Sequence, residues 1–221
     1  MLKQNKMKTE RALNIAFALS IITIVYNVIE GLISVFFGMQ DETLALLGFG
    51  VDSFVEVISG LGIAHMIWRM KFGNPEFTDK FERQALRITG IAFYLLTAGL
   101  VAGSVINFIQ NNQPHTTMVG VIISSISILT MFFLMKYKLK FGKLLGSDAI
   151  VADANCTRSC FYLSILLLAS SGLYEIFQIG YIDTIGSLGI AYFAFKEGRE
   201  AFEKVRSGKL NCCGGDTCST H

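Results

Sequence analysis

Six apolar stretches, at residues 12–38, 43–68, 85–109, 117–135, 148–172 and 182–195, divide this chain. Crossing a bilayer takes about 20 largely apolar residues, wound into a helix because hydrocarbon offers the backbone no hydrogen-bond partner. All six are read as spans. The sixth is short and is expected to continue as helix into the charged run 196–204. A chain that is 52% hydrophobic and only 16% charged cannot form an ordinary soluble domain. The expected fold class is an all-α membrane protein, a six-transmembrane-helix bundle.

The net charge of +2 says little, but its placement says a great deal. Basic residues cluster at 3–11, 69–87, 136–143 and 196–209, whereas 38–42, 111–116 and 173–181 hold no Lys or Arg. Of the 19 basic residues, only Arg158 falls outside those four clusters. The positive-inside rule then puts both termini in the cytoplasm. The first apolar run is too long for the core of a signal peptide, and no small-residue cleavage site follows it, so it is kept as a span. The expected organisation is a transporter domain over 1–207 and a flexible Cys-rich cytoplasmic tail over 208–221. No feature suggests a nucleic-acid partner.

Two pairs of side chains lie inside the apolar stretches where polar groups are least expected. Asp52 and Glu56 lie in the second stretch, Cys156 and Cys160 in the fifth. A spacing of four stacks both members of a pair on one helix face. A faint internal repeat at an offset of 104 superposes the pairs, Asp52 on Cys156 and Glu56 on Cys160. In the topology above the second and fifth helices run antiparallel, the relation expected of inverted repeats flanking a midplane site. Asp52 lies about nine residues from one end of its span and Cys156 about eight from the opposite end of its own. At ~1.5 Å per residue both fall near the middle of a ~30 Å core.

Carboxylates inside a bilayer are costly and persist where something uses them. Asp52 and Glu56 on one face repel each other unless a cation or a shared proton intervenes. The structural alternative is a protonated pair hydrogen-bonded to neighbouring helices. For the cysteines it is that buried thiols act as small hydrophobes. Taken together, two carboxylates and two thiolates make an O₂S₂ tetrahedron suited to zinc or cadmium, the sulfur half leaning toward softer ions. Magnesium and calcium prefer all-oxygen sites. Protons compete with metal for these ligands, so binding releases protons and their return expels the metal, a basis for proton-coupled exchange.

Other polar residues take lesser places. Asp153, one turn before Cys156, is a candidate second ligand layer or entry ligand, and Asp148 a candidate for the cytoplasmic mouth. Asn27 and Glu30 share a face of the first helix and either bond across helices or line the path. Arg158 is rotated away from the cysteine face. His65 is read as interfacial, and Gly99 and Gly103 form a G-x-x-x-G close-packing step for a dimer or the bundle. In the tail, Cys212, Cys213, Cys218 and His221 form a candidate soft-metal site that would assemble on binding; the competing reading is a disordered tail with reactive thiols.

The stretch 46–60 around Asp52-Ser53-Phe54-Val55-Glu56, and Ala152-Asp153-Ala154-Asn155-Cys156-Thr157-Arg158-Ser159-Cys160, resemble the second- and fifth-helix motifs of the cation diffusion facilitator (cation efflux) family. The fifth-helix motif of that family reads Ala-Asp-Ala-x-His-Ser/Thr-Arg-Ser-Asp. The resemblance runs through essentially all six helices. It implies a divalent-metal/proton antiporter, a homodimer, and ligand roles for Asp52, Glu56, Cys156 and Cys160. Cysteines stand where the family has His and Asp, which moves the expected ion toward thiophilic metals. The sequence is expected to be a short form without the family's cytoplasmic ferredoxin-like domain.

The expected function is export of zinc, cadmium or a softer metal ion from the cytoplasm in exchange for protons. That makes the chain a heavy-metal resistance transporter rather than an enzyme, with no organic cofactor, in the bilayer of a bacterial inner membrane. Two alternatives stand beside it. A membrane thiol oxidoreductase would use Cys156 and Cys160, although C-x-x-x-C on a helix is not the usual redox spacing. A non-transporting metal sensor or buffer would rely on the tail.

Overall fold

The computed structural model describes residues 2–40, 43–72, 80–110, 117–145, 148–179 and 181–207. They form six helices: α1 (Leu2–Gln40), α2 (Leu44–Phe72), α3 (Lys80–Gln110), α4 (Met118–Leu145), α5 (Asp148–Phe177) and α6 (Tyr181–Ser207). The links between them are short, so consecutive helices run antiparallel. The start of α1 and the end of α6 therefore share one end of the bundle. Among the described residues, five helices are long and apolar enough to cross a membrane, over Arg11–Gln40, Leu44–Trp68, Arg87–Gln110, Met118–Leu144 and Ala154–Phe177. The sixth helix, α6, is not among them, because polar and charged residues dilute its apolar run.

The bundle is apolar outside and comparatively polar within. Phe36, Leu95, Phe108, Ile109, Leu129 and Ile176 are exposed, while Ser34, Ser124, Ser127, Ser164 and Ser187 are fully buried. Hydrocarbon removes the usual reason to bury large side chains, so close approach of small residues and interhelical hydrogen bonds hold the helices instead. Ser127 bonds Ser164 across α4 and α5 at 2.8 Å, and Ser104 bonds Ser187 across α3 and α6 at 2.8 Å.

The helix α2 is central and packs against α1, α3, α5 and α6. It meets α1 at Gly38, where a Cβ would stand 2.6 Å from the backbone nitrogen of Leu47. Its first N–H groups, which a helix cannot satisfy internally, are capped from α6: Asp183 accepts from Leu44 N at 2.9 Å and from Ala45 N at 3.3 Å. The start of α4 is capped in the same manner by Glu175 of α5, which accepts from Thr117 N at 2.6 Å. These two carboxylates brace the end of the bundle away from the basic clusters.

The G-x-x-x-G expectation holds by half. Gly103 packs against Leu44, but nothing lies within 4 Å of where a Gly99 Cβ would be. One more departure concerns α4, which runs ten residues past the apolar stretch ending at 135. Lys138 within that extension is buried and donates to Thr157 Oγ1 at 3.1 Å.

Candidate metal-transport site

Five helices line one cavity of about 40 Å³, and four of them, α1, α2, α5 and α6, supply its polar groups; it has room for a metal ion and one or two waters. Asn27 and Thr23 line it from α1, Asp52, Glu56 and Ser59 from α2, Cys156, Ser159 and Cys160 from α5, and Glu197 from α6. The helical spacing of four brings each pair to the wall, as its period requires. Phe93 and Leu163 supply apolar wall.

Glu56 joins three helices. One carboxylate oxygen accepts from Asn27 Nδ2 of α1 at 2.9 Å, and the other accepts from the Cys160 thiol of α5. Cys160 is a free thiol, buried, with Sγ also 3.3 Å from the Cys156 carbonyl oxygen. Cys156 is disulfide-bonded, so its sulfur offers a thiolate only once reduced. The two motif cysteines are therefore not joined to each other.

Asp52 is almost fully buried, and its Oδ1 has no hydrogen-bond partner; Asn27 Oδ1 and Ser59 Oγ are in the same condition. Buried acceptors without donors are strongly disfavoured. A desolvated cation is one partner that would satisfy such oxygens. No three His, Cys, Asp or Glu side chains among the described residues already stand in metal-coordinating array.

Asn27 and Glu30, paired by sequence, take different places. Asn27 is on the cavity wall. Glu30, one turn on and buried, accepts from Tyr26 Oη at 2.9 Å and from Ser53 Oγ at 3.2 Å, so it belongs to a polar network beside the cavity. His65 lies beside Trp68, ring centroids 6.2 Å apart. Asp148 and Asp153 lie on α5, but their side chains are outside the described set, as are Cys212, Cys213, Cys218 and His221.

Several polar cavity residues, Thr23, Ser59, Ser159 and Glu197 among them, escaped the sequence reading. Ser159 Oγ donates to Glu197 Oε1 at 2.7 Å. Glu197 sits beside Lys196 in a run that reads as a solvated charged segment. The signal that marks it is periodic: Asp183, Ser187, Ile190, Ala194, Glu197 and Ala201 fall at alternating steps of four and three, and all six are buried. Glu197 therefore lies on the inner stripe of α6.

A sequence model of the cation efflux transmembrane domain matches residues 20–207. The chain belongs to the cation efflux family. It is similar to an uncharacterized transporter of Methanocaldococcus jannaschii, 28% identical over 182 residues, a match that takes in 80% of this chain. The chain spans 63% of the length of that relative. The matched domain contains both residue pairs and the whole cavity wall. With its apolar outer surface, this cation efflux domain is an integral, multi-pass membrane protein.

Proposed function

We propose that this cation efflux protein carries a divalent heavy-metal ion out of the cytoplasm in exchange for protons, with Asp52, Glu56, Cys156 and Cys160 as its ligands. The observation that carries the reading is the meeting of both i,i+4 pairs on one buried cavity, with Asp52 Oδ1 unpartnered there. Membership in the cation efflux family supports a metal cation as the cargo. The donor set, two oxygens and two sulfurs, favours zinc, cadmium or a softer ion over magnesium or calcium.

Proton coupling follows from the same ligands. Glu56 and Cys160 share a hydrogen bond across α2 and α5. A metal that takes both must displace that proton, and a proton that returns restores the bond and competes with the metal. Four ionised ligands around one divalent ion would leave a net negative charge in the membrane interior, so at least one ligand stays protonated when metal binds. The protein works as a homodimer in a bacterial inner membrane, with the basic clusters facing the cytoplasm.

The test is transport in proteoliposomes with an imposed pH gradient, under reductant, using zinc, cadmium, mercury, lead and manganese. Wild type is compared with Cys156→Ser/Cys160→Ser and with Asp52→Asn. Uptake of a soft divalent ion, abolished in both variants and accompanied by counter-flow of protons, is the expected result. Flux indifferent to the cysteines would remove the mixed-ligand site.

A further inference from the structure

The α6 wall of the cavity has no place in either residue pair, yet it presents a carboxylate. Glu197 is 8% exposed and lines the same cavity as Asp52 and Glu56. Farther along α6, Glu200 lies 3.9 Å from Lys196, and Glu203 lies 3.0 Å from Arg199. Those two acids sit in ladders on α6 itself. Glu197 instead turns toward α5, where Ser159, between the two motif cysteines in sequence, holds one of its oxygens at 2.7 Å.

A third carboxylate brings further oxygen donors to this small space. The same space holds Asn27 Oδ1 and Asp52 Oδ1, both in residues at least nine-tenths buried and both without a hydrogen-bond donor. Surplus acceptors in one cavity call for one occupant, a desolvated cation.

We propose that Glu197 is a metal-binding carboxylate of this cavity, supplied by α6 and held by Ser159, and that it shifts the site's preference toward ions that favour oxygen. The proposal rests on the transport reading above. Its chemistry is specific: with the Glu197 oxygen the set has three carboxylates against two thiolates, and without it the sulfurs weigh equally with the oxygens. Removing an oxygen donor weakens a borderline ion such as zinc more than a softer one such as cadmium.

The experiment is metal titration of the purified full chain in lipid nanodiscs under reductant, by calorimetry, with zinc and cadmium as probes. The cadmium–thiolate ultraviolet absorption reports the sulfur ligands. Glu197→Gln is expected to weaken zinc about tenfold and cadmium clearly less, with the thiolate absorption at saturating cadmium unchanged. Glu200→Gln is expected to leave both affinities as they were. Equal loss of both ions in Glu197→Gln, or wild-type affinity for both, overturns the proposal. If affinities in Glu197→Gln are those of wild type while Asp52→Asn no longer binds, the transport reading survives and only the α6 ligand falls. A wild type that binds neither ion overturns both. Should Glu197→Gln fail to fold, Ser159→Ala reads the same contact: the zinc-to-cadmium affinity ratio is expected to fall by a smaller factor, and an unchanged ratio overturns the proposal.

Discussion

Asn27 shows how one side chain can matter to a site through the neighbour it holds. Its Nδ2 holds one oxygen of Glu56 at 2.9 Å, while its own Oδ1 is unpartnered on the cavity wall. Replacing it by Leu keeps the volume, removes the clamp on Glu56 and deletes one cavity oxygen. Groups that orient a ligand typically cost 10–100-fold in metal affinity when lost, and Asn27→Leu is expected to weaken zinc binding by about tenfold. Calorimetric titration of the variant checks this. The residue reading from sequence captured Asn27 as one of two equivalent candidates. Only its contact with Glu56 separates it from Glu30, whose two oxygens are taken by Tyr26 and Ser53. Sequence spacing places both on one face and cannot show which neighbour each will meet.

At the scale of elements, the α1–α2 crossing is held by backbone proximity rather than by large side chains. A Cβ at Gly38 would meet the Leu47 backbone at 2.6–2.8 Å, where no rotamer change can relieve it. Gly38→Ala is therefore expected to destabilise the bundle by about 1–3 kcal/mol, as overpacking does. Gly99→Ala meets nothing within 4 Å and is expected to leave the protein as stable as before. Thermal denaturation of both variants in detergent compares the two positions, and equal stability would contradict the packing described here. The helix α6 carries the opposite lesson. By composition it is the weakest span, yet its stripe from Asp183 to Ala201 seals the centre. It caps α2 through Asp183 and reaches the cavity through Glu197. A hydropathy average hides that stripe because its outward residues, among them Lys196, Arg199 and Glu203, carry the charge.

For the whole molecule, an apolar exterior and basic clusters at 3–11, 69–87, 136–143 and 196–209 set the orientation. Fusions of green fluorescent protein at either terminus are expected to fluoresce, as they do in the cytoplasm. Alkaline phosphatase inserted at 111–116 is expected to be active on the opposite side. An active phosphatase fused to either terminus would invert the topology and the direction of transport proposed from it. The bundle places its cavity within the membrane, where water is scarce and an ion can only be held by protein oxygen and sulfur.

Taken by itself, the sequence determined the helices, their number and the two i,i+4 pairs, Asp52/Glu56 and Cys156/Cys160. Hydropathy fixes where a chain must be helical in lipid, and a period of 3.6 fixes which residues share a face. It also carried the family, through the run from Ala152 to Cys160. Tertiary structure alone decided which faces meet: that α2 stands at the centre, that Glu56 bridges Asn27 and Cys160, that Asp183 caps a helix begun 139 residues earlier, and that Glu197 points inward. Each of these is a contact between helices distant in sequence. Such contacts depend on where small residues let backbones approach, a property of two surfaces together that neither stretch displays alone.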